Sequence, residues 1–235
     1  MSAAVTLLLV PGLLSDQTVW QPFIDRVDGR FPVQVADLTS QNSLTQMAVD
    51  TLEACPGQLY VAGHSMGARV AMEMIRLCPE RILKLALLDT GTHPFKPGEE
   101  VRRIQLVKLA HTEGMRALAD QWLIPMVHPH HADDQLLMQK LLSMVETMTA
   151  EIHENQIHAL LHRPDAVPGL RDIKCPTLVL VGRQDVWSPV NQHQALCQHL
   201  VSGELVVIEN AGHFAPLEQP GMVSDALERW AFDSN

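Results

Sequence analysis

Residues 59–70 read Leu-Tyr-Val-Ala-Gly-His-Ser-Met-Gly-Ala-Arg-Val. The stretch has the pattern of a short apolar strand, a turn and the first turns of a helix. The turn carries Gly-x-Ser-x-Gly, which in this context presents the Ser65 hydroxyl at the tip of a strained bend. Glycine at 63 and 67 leaves room between strand and helix and accepts unusual backbone dihedrals at low steric cost. The alternative is an ordinary loop serine, so the nucleophile hypothesis requires a base and an acid elsewhere.

Composition limits the classes of function that fit. The chain has 235 residues, 46% of them hydrophobic, and a formal net charge of −10. An acidic chain is a poor partner for nucleic acid or for an anionic membrane surface, and we expect neither. The four cysteines have no metal-type or paired spacing, and the apolar run near the N-terminus is too short for a signal peptide. We therefore expect a cytoplasmic protein of one large domain, and the oligomeric state stays open.

Six apolar segments have the length and composition of strands, and most are separated by helical patterns. Such alternation predicts an α/β fold with a mainly parallel sheet of about six strands and helices on both faces. The predicted strands are residues 5–10, 31–36, 58–62, 83–88, 177–181 and 205–209.

The pattern changes between residues 93 and 171. This segment has no strand-like run, its apolar residues follow helical spacing, and it is rich in methionine and histidine. We interpret it as an insertion of three or four helices. The predicted organisation is a core made of residues 1–92 and 172–235, with the helical insertion at 93–171.

Two residues stand where a base and an acid for Ser65 would be needed. His213 follows the last predicted strand and Asp185 follows the fifth, so both belong to the edge where parallel sheets build their sites. Imidazole can take and return a proton near pH 7, and a carboxylate can fix its tautomer. Taken singly, each is more often a surface loop residue. Asp89, after the fourth strand, competes for the role of acid, but Gly182 favours a tight turn at Asp185.

An acyl-transfer site also needs hydrogen-bond donors for an oxyanion. The backbone amide of Met66, directly after the serine, is one candidate. The second is the amide of Leu13, because Gly12 lets the loop after the first strand approach closely.

The stretches LLLVPGLLSDQTVW, LYVAGHSMGARVAM, CPTLVLVGRQDVWSP and ENAGHFAPLEQP together resemble the α/β-hydrolase-fold enzymes over nearly the whole chain. The resemblance is nearest to small bacterial carboxylesterases and to the carrier-protein methyl ester esterases and C–C hydrolases of the same superfamily. It implies Ser65 as nucleophile, His213 as base, Asp185 as its partner, and an insertion that covers the site as a cap. Pro11 stands where such proteins usually have histidine, and the loop after the second strand lacks their glycines, so the rim of the pocket differs.

Substrate-contacting residues are predicted mainly in the cap. Trp122, Met126 and Met144 are candidates there, although most such residues only pack helices together, and Trp187 is a candidate from its position beside Asp185. The histidines at 128, 130 and 131 lack the spacing of a metal site, and we expect neither a metal nor a cofactor.

The sequence thus predicts a serine hydrolase of small, largely apolar carboxylic esters or thioesters. One alternative is a hydrolase of C–C bonds or enol-lactones, which would need cations near the serine, with Arg69 and Arg183 as candidates. For Arg69, a solvent-facing position or an ion pair with Glu73 is the simpler interpretation. A third possibility, of another class, is a non-catalytic ligand-binding module built on the same scaffold.

Overall fold

A six-stranded, fully parallel sheet forms the centre of the protein in a computed structural model that describes residues 5–27, 29–30 and 32–233. The strand order is β2-β1-β3-β4-β5-β6. The strands are β1 (Thr6–Val10), β2 (Val33–Val35), β3 (Leu59–His64), β4 (Ile82–Leu88), β5 (Thr177–Gly182) and β6 (Gly203–Ile208). The predicted α/β fold with a parallel sheet is confirmed.

The central strands are apolar because helices cover both of their faces. In β1, Leu7, Leu8 and Leu9 are fully buried, and the strand lies between β2 and β3. This explains why the strands read as continuous apolar runs instead of alternating ones. The third strand runs two residues further than its pattern predicts and ends at His64, directly before the serine.

Within the described residues, six helices flank the sheet: α1 (Gln21–Val27), α2 (Leu44–Ala54), α3 (Met66–Leu77), α7 (Val190–His199), α8 (Ala215–Glu218) and α9 (Pro220–Phe232). Helix α3 packs on β3 and against α2, whereas α9 packs on β4 and against α1. Helix α3 begins where β3 ends, so the strand and the helix axis meet at residue 65.

Between β4 and β5 lie the helices α4 (Glu99–Trp122), α5 (Gln135–Glu146) and α6 (Ala150–Leu161), with short 3₁₀ turns between and after them. Helix α4 is kinked at Gly114, whose φ of 87° is outside the helical range, and it packs against both α5 and α6. That residues 93–171 form a separate unit stays a prediction. Within the described residues, no helix combines the length and apolarity that crossing a bilayer would require.

Candidate active site

The backbone at Ser65 is strained. Its φ of 55° and ψ of −115° fall outside the regions that a residue with a Cβ normally adopts. The bend is held by a hydrogen bond from the Ser65 amide to the carbonyl of Leu88 at 2.8 Å, and by Thr90, whose hydroxyl donates to the Ser65 carbonyl at 3.0 Å. The neighbouring strand β4 therefore fixes the turn that exposes the serine hydroxyl.

The glycines of the motif supply space and not unusual dihedrals. A Cβ on Gly63 would lie 2.5 Å from the carbonyl oxygen of Gly67, and a Cβ on Gly67 would lie 2.2 Å from that of Val10. Positive φ in this turn belongs to Ser65 itself, not to either glycine. The expectation of crowding was sound, and the expectation that the glycines take the unusual dihedrals was wrong.

The three predicted triad residues lie in one hydrogen-bonded chain. The Ser65 hydroxyl oxygen is 2.8 Å from Nε2 of His213, and Nδ1 of His213 is 2.8 Å from Oδ2 of Asp185. With Nδ1 donating to the carboxylate, Nε2 is left as an acceptor for the hydroxyl proton. This geometry has the form of a nucleophile, its base and an orienting acid.

Asp185 is held ionised by its surroundings. Burial alone would raise its pKa, but the charge and hydrogen bond of His213 outweigh that effect, and the amides of Trp187 and Ser188 add two more hydrogen bonds to Oδ1. The net result is a pKa below the usual range. A carboxylate kept in its anionic form can stabilise an imidazolium on His213.

Asp89 occupies a structural position instead. Its Oδ1 accepts a hydrogen bond from the amide of Gly182 at 2.9 Å, and the residue is fully buried. Burial first, and repulsion from Asp185 second, raise its pKa well above the usual value. Asp89 thus ties the end of β4 to the end of β5.

The loop after β1 lies against the serine. A Cβ on Gly12 would come within 3.1 Å of the Ser65 Cβ, and the next residue, Leu13, lines the cavity in front of Ser65. Met66 is the first residue of α3, where the amides of a helix lack partners within the helix. The structure thus brings both predicted oxyanion donors beside the serine.

Three residues that hold this arrangement were missed by the sequence reasoning. His64 has a pKa lowered to about 3, chiefly by burial, and its Nε2–H donates to the carbonyl of His213 at 2.7 Å. Gln156 of α6 accepts from the amide of Leu14 at 2.9 Å, and Glu218 accepts from backbone amides around His213. His64 is the residue directly before the serine in Gly-x-Ser-x-Gly, so its place in the motif was a signal in the sequence. Gln156 and Glu218 could be found only from the fold.

A cavity of about 360 Å³ opens in front of Ser65. This is within the range of small-molecule sites. Trp122, Met126 and Trp187 line it as predicted, and Trp122 packs edge-on against Phe214, with ring centres 6.2 Å apart. Met144 does not line it. That side chain is buried on helix α5, which packs against α4. The prediction for Met144 was wrong because amphipathic spacing identifies buried residues but does not distinguish a cavity wall from a helix interface.

The two predicted cations lie in different places. Arg69 is 8% exposed and lines the cavity, so neither the solvent-facing position nor the ion pair with Glu73 is found for it. Glu73 pairs with Arg76 instead, at 2.8 Å. Arg183 is paired with Glu209 on the surface, outside the cavity.

The parallel α/β sheet and the arrangement of Ser65, His213 and Asp185 together define a class of protein. The sequence profile of the alpha/beta hydrolase family matches residues 7–226, and the chain belongs to that family. Among solved structures it is similar to a thermophilic esterase from Thermogutta terrifontis, with a TM-score of 0.87 and 26% identity over 98% of this chain and 90% of that one.

Two curated relatives come from Acinetobacter baylyi. The (E)-2-((N-methylformamido)methylene)succinate hydrolase is 23% identical over 95% of this chain and 89% of its own length. The 3-oxoadipate enol-lactonase 2 is 29% identical over 73% of this chain, and the match spans 62% of that relative. All of these proteins are hydrolases by name, and this chain is a hydrolase of the same family.

Proposed function

We propose that the protein hydrolyses carboxylic esters by acyl transfer through Ser65. The observation that carries this proposal is the hydrogen-bonded chain from Ser65 through His213 to Asp185, which opens on the cavity. The similarity to the Thermogutta terrifontis esterase supports the same class of reaction.

In the first half-reaction the Ser65 hydroxyl oxygen attacks the ester carbonyl carbon while Nε2 of His213 takes its proton. The charge that develops on the carbonyl oxygen is bound by the amides of Leu13 and Met66. The tetrahedral intermediate then collapses with cleavage of the bond to the alkoxy oxygen, and the imidazolium returns the proton to that oxygen. The alcohol leaves and Ser65 stays acylated.

In the second half-reaction water replaces the alcohol. Nε2 of His213 takes a proton from the water while the water oxygen attacks the acyl carbon. The same proton is then transferred to the Ser65 oxygen as the bond between that oxygen and the acyl carbon breaks. Asp185 keeps its charge throughout and stabilises the imidazolium of each step. The balance needs no cofactor, because only a proton and the acyl group are transferred.

A lactone is the second candidate substrate, opened by the same attack on an acyl carbonyl. It is favoured by Arg69, which supplies a cation in the cavity wall, and by the similarity to an enol-lactonase. In a lactone the alkoxy leaving group stays attached to the acyl chain. Deacylation by water then yields a single hydroxy acid, or its keto form when the lactone is an enol-lactone.

The test compares wild type, Ser65→Ala and the control Ser143→Ala on p-nitrophenyl acetate and butyrate, with fluorophosphonate labelling followed by peptide mass spectrometry. Ser143 is an exposed serine on α5, far along the chain from the triad. We expect label on Ser65, and activity of Ser65→Ala below about one-thousandth of wild type. A wild-type protein that neither hydrolyses these esters nor takes up label at Ser65 would favour a non-catalytic ligand-binding module. A Ser65→Ala variant as active as the control would mean that Ser65 is not the nucleophile.

A further inference from the structure

Two arginines of the cavity wall share a single carboxylate, and a third arginine lines the same cavity. Arg163 donates to Glu99 through both terminal nitrogens, at 2.9 and 2.6 Å, and Arg103 donates to the same carboxylate at 2.9 Å. Arg69 completes the group from helix α3, and all four residues line the cavity. With one negative charge against three positive ones, the cluster carries a net charge of about +2, since Arg is always protonated near neutral pH.

Arg69 is the member of the group that lacks an anionic partner. Within the described part of the chain its guanidinium makes one hydrogen bond, from Nη1 to the carbonyl of His93 at 3.2 Å, and no carboxylate lies within 4.0 Å of it. Burial, together with repulsion from Arg163, lowers its pKa to about 9, so it still carries its charge at neutral pH. A buried, unpaired charge is costly, and an anion bound beside it would remove much of that cost.

The charge of Arg69 lies in the same cavity as Ser65. Arg69 is the fourth residue of α3, the helix that begins directly after Ser65, and both residues line the same cavity. Arg163, in contrast, is already satisfied by Glu99 and by the carbonyls of His93, Leu160 and Pro94. Among these three arginines, Arg69 is therefore the one whose charge is not balanced by a hydrogen-bonded carboxylate.

Apolar side chains form another part of the cavity wall. Leu106, Ile157 and Leu160 line the same cavity, and they are at most 8% exposed. A ligand that fills the cavity would thus contact the serine, apolar side chains and the cationic cluster. The expectation of a largely apolar substrate accounts for the apolar side chains of the cavity but not for its cationic cluster.

We propose that Arg69 binds a carboxylate of the substrate, so that the natural ester or lactone is one whose acyl chain ends in an acid. This proposal rests on the acyl-transfer function proposed for Ser65. A guanidinium binds a carboxylate through two parallel hydrogen bonds, which fixes orientation as well as affinity. The carboxylate at one end of the substrate would hold the ester carbonyl at the other end against Ser65. The apolar side chains of the cavity would contact the short hydrocarbon chain between these two groups.

The experiment separates binding from hydrolysis. The probes are the monomethyl esters of glutaric and adipic acid, each paired with the methyl ester of the corresponding carboxamide, which has the same shape without the charge. Binding is measured by ligand-observed NMR on Ser65→Ala, alone and combined with Arg69→Gln, Arg69→Lys or the control Arg116→Gln. Arg116 is on α4 like Arg103, is 61% exposed and pairs with Asp120.

We expect at least one acid ester to bind Ser65→Ala about tenfold or more tightly than its amide, a preference typical of a charge-assisted pair. Arg69→Gln should bring that ratio close to one, Arg69→Lys should keep part of it, and Arg116→Gln should leave it unchanged. Equal binding of acid and amide, or a preference that survives Arg69→Gln in a folded protein, would overturn the proposal.

Release of methanol by wild type, measured with the same esters, tests the acyl-transfer function separately. If the acid esters bind selectively and are not hydrolysed, the carboxylate site stands and the reaction proposed for Ser65 fails. If acid and amide esters are hydrolysed equally well, the reaction stands and the carboxylate site fails.

Discussion

Glu218 holds the backbone on both sides of His213. Its Oε1 accepts hydrogen bonds from the amides of Gly212 at 2.9 Å and Phe214 at 3.1 Å. Its Oε2 accepts from the amide of His128, and the His213 amide donates to the carbonyl of Met126 at 2.7 Å. The loop that carries His213 is thus held both by a buried carboxylate and by the segment between α4 and α5.

We predict that Glu218→Gln lowers kcat more than it changes KM. The NH₂ group of the new side chain can donate to Nδ1 of His131, which lies 2.9 Å from Oε2, but the buried amide of His128 then loses its acceptor. A buried donor without an acceptor costs about 1–3 kcal/mol, and the loop that positions His213 bears that cost. Ester kinetics and urea unfolding measure the two effects.

The control for this variant is Glu209→Gln. It makes the same chemical change at an exposed carboxylate just before the same loop, where Glu209 pairs with Arg183. If both variants have equal kcat and equal stability, Glu218 does not position the base.

Asp185→Asn and Asp89→Asn should differ sharply. In Asp185→Asn the side chain beside His213 becomes a neutral amide, and loss of the negative charge in a triad costs about 10⁴-fold in kcat. Asp89 has a raised pKa, so its neutral form is close to asparagine in charge and shape, and the amide oxygen can still accept from Gly182. We expect Asp89→Asn to change kcat by less than about tenfold.

The measurement is kcat on p-nitrophenyl butyrate for both variants, with circular dichroism to check folding. A larger loss in Asp89→Asn than in Asp185→Asn would mean that the acid is Asp89.

The sequence could predict the features that residues close together in the chain encode. The serine turn and the strands are encoded within a few neighbouring residues, as in the apolar run of β1 and the Gly-x-Ser-x-Gly of residues 63–67, and the fold then places residues that follow separate strands at one edge. Contacts such as Glu218 to His128 or Gln156 to Leu14 join residues 90 or more apart, and no local pattern encodes them. The prediction for Met144 failed for a related reason, since helical spacing gives burial but not the identity of the neighbour.

Gln156 offers a test of how the loop after β1 is positioned. Its side chain accepts from the amide of Leu14 at 2.9 Å and donates to the carbonyl of Leu38 at 3.0 Å, and it is 1% exposed. Leucine has a similar size but cannot form either bond, so Gln156→Leu leaves both backbone groups without a partner. We expect a fall of about tenfold or more in kcat, because the amide of Leu13 beside this turn would lose its position.

The control is Gln139→Leu, on the exposed face of α5. Both variants are compared by kcat on p-nitrophenyl butyrate, with circular dichroism to check folding. Unchanged kcat in a folded Gln156→Leu variant would show that the turn keeps its geometry without this residue.

The last prediction concerns acid stability and Glu99. Burial alone would raise the pKa of this carboxylate, but the hydrogen bonds and charges of Arg163 and Arg103 outweigh it and lower the pKa from 4.5 to about 2. A carboxylate with a lowered folded-state pKa stabilises the fold above its unfolded-state pKa, and the contribution is lost as the pH falls from about 4.5 toward 2. The shift corresponds to about 3 kcal/mol, and we expect about 2 kcal/mol because the side chain is 20% exposed.

Glu99→Gln should therefore be about 2 kcal/mol less stable than wild type at pH 7, with a difference that narrows as the pH falls below about 4.5. Urea unfolding at a series of pH values between 7 and 3 measures the difference, with Glu100→Gln as the control because Glu100 is the exposed neighbour on the same helix turn. A constant difference at every pH would mean that the loss comes from packing, since only the ionised carboxylate can hold Arg163 and Arg103 by charge.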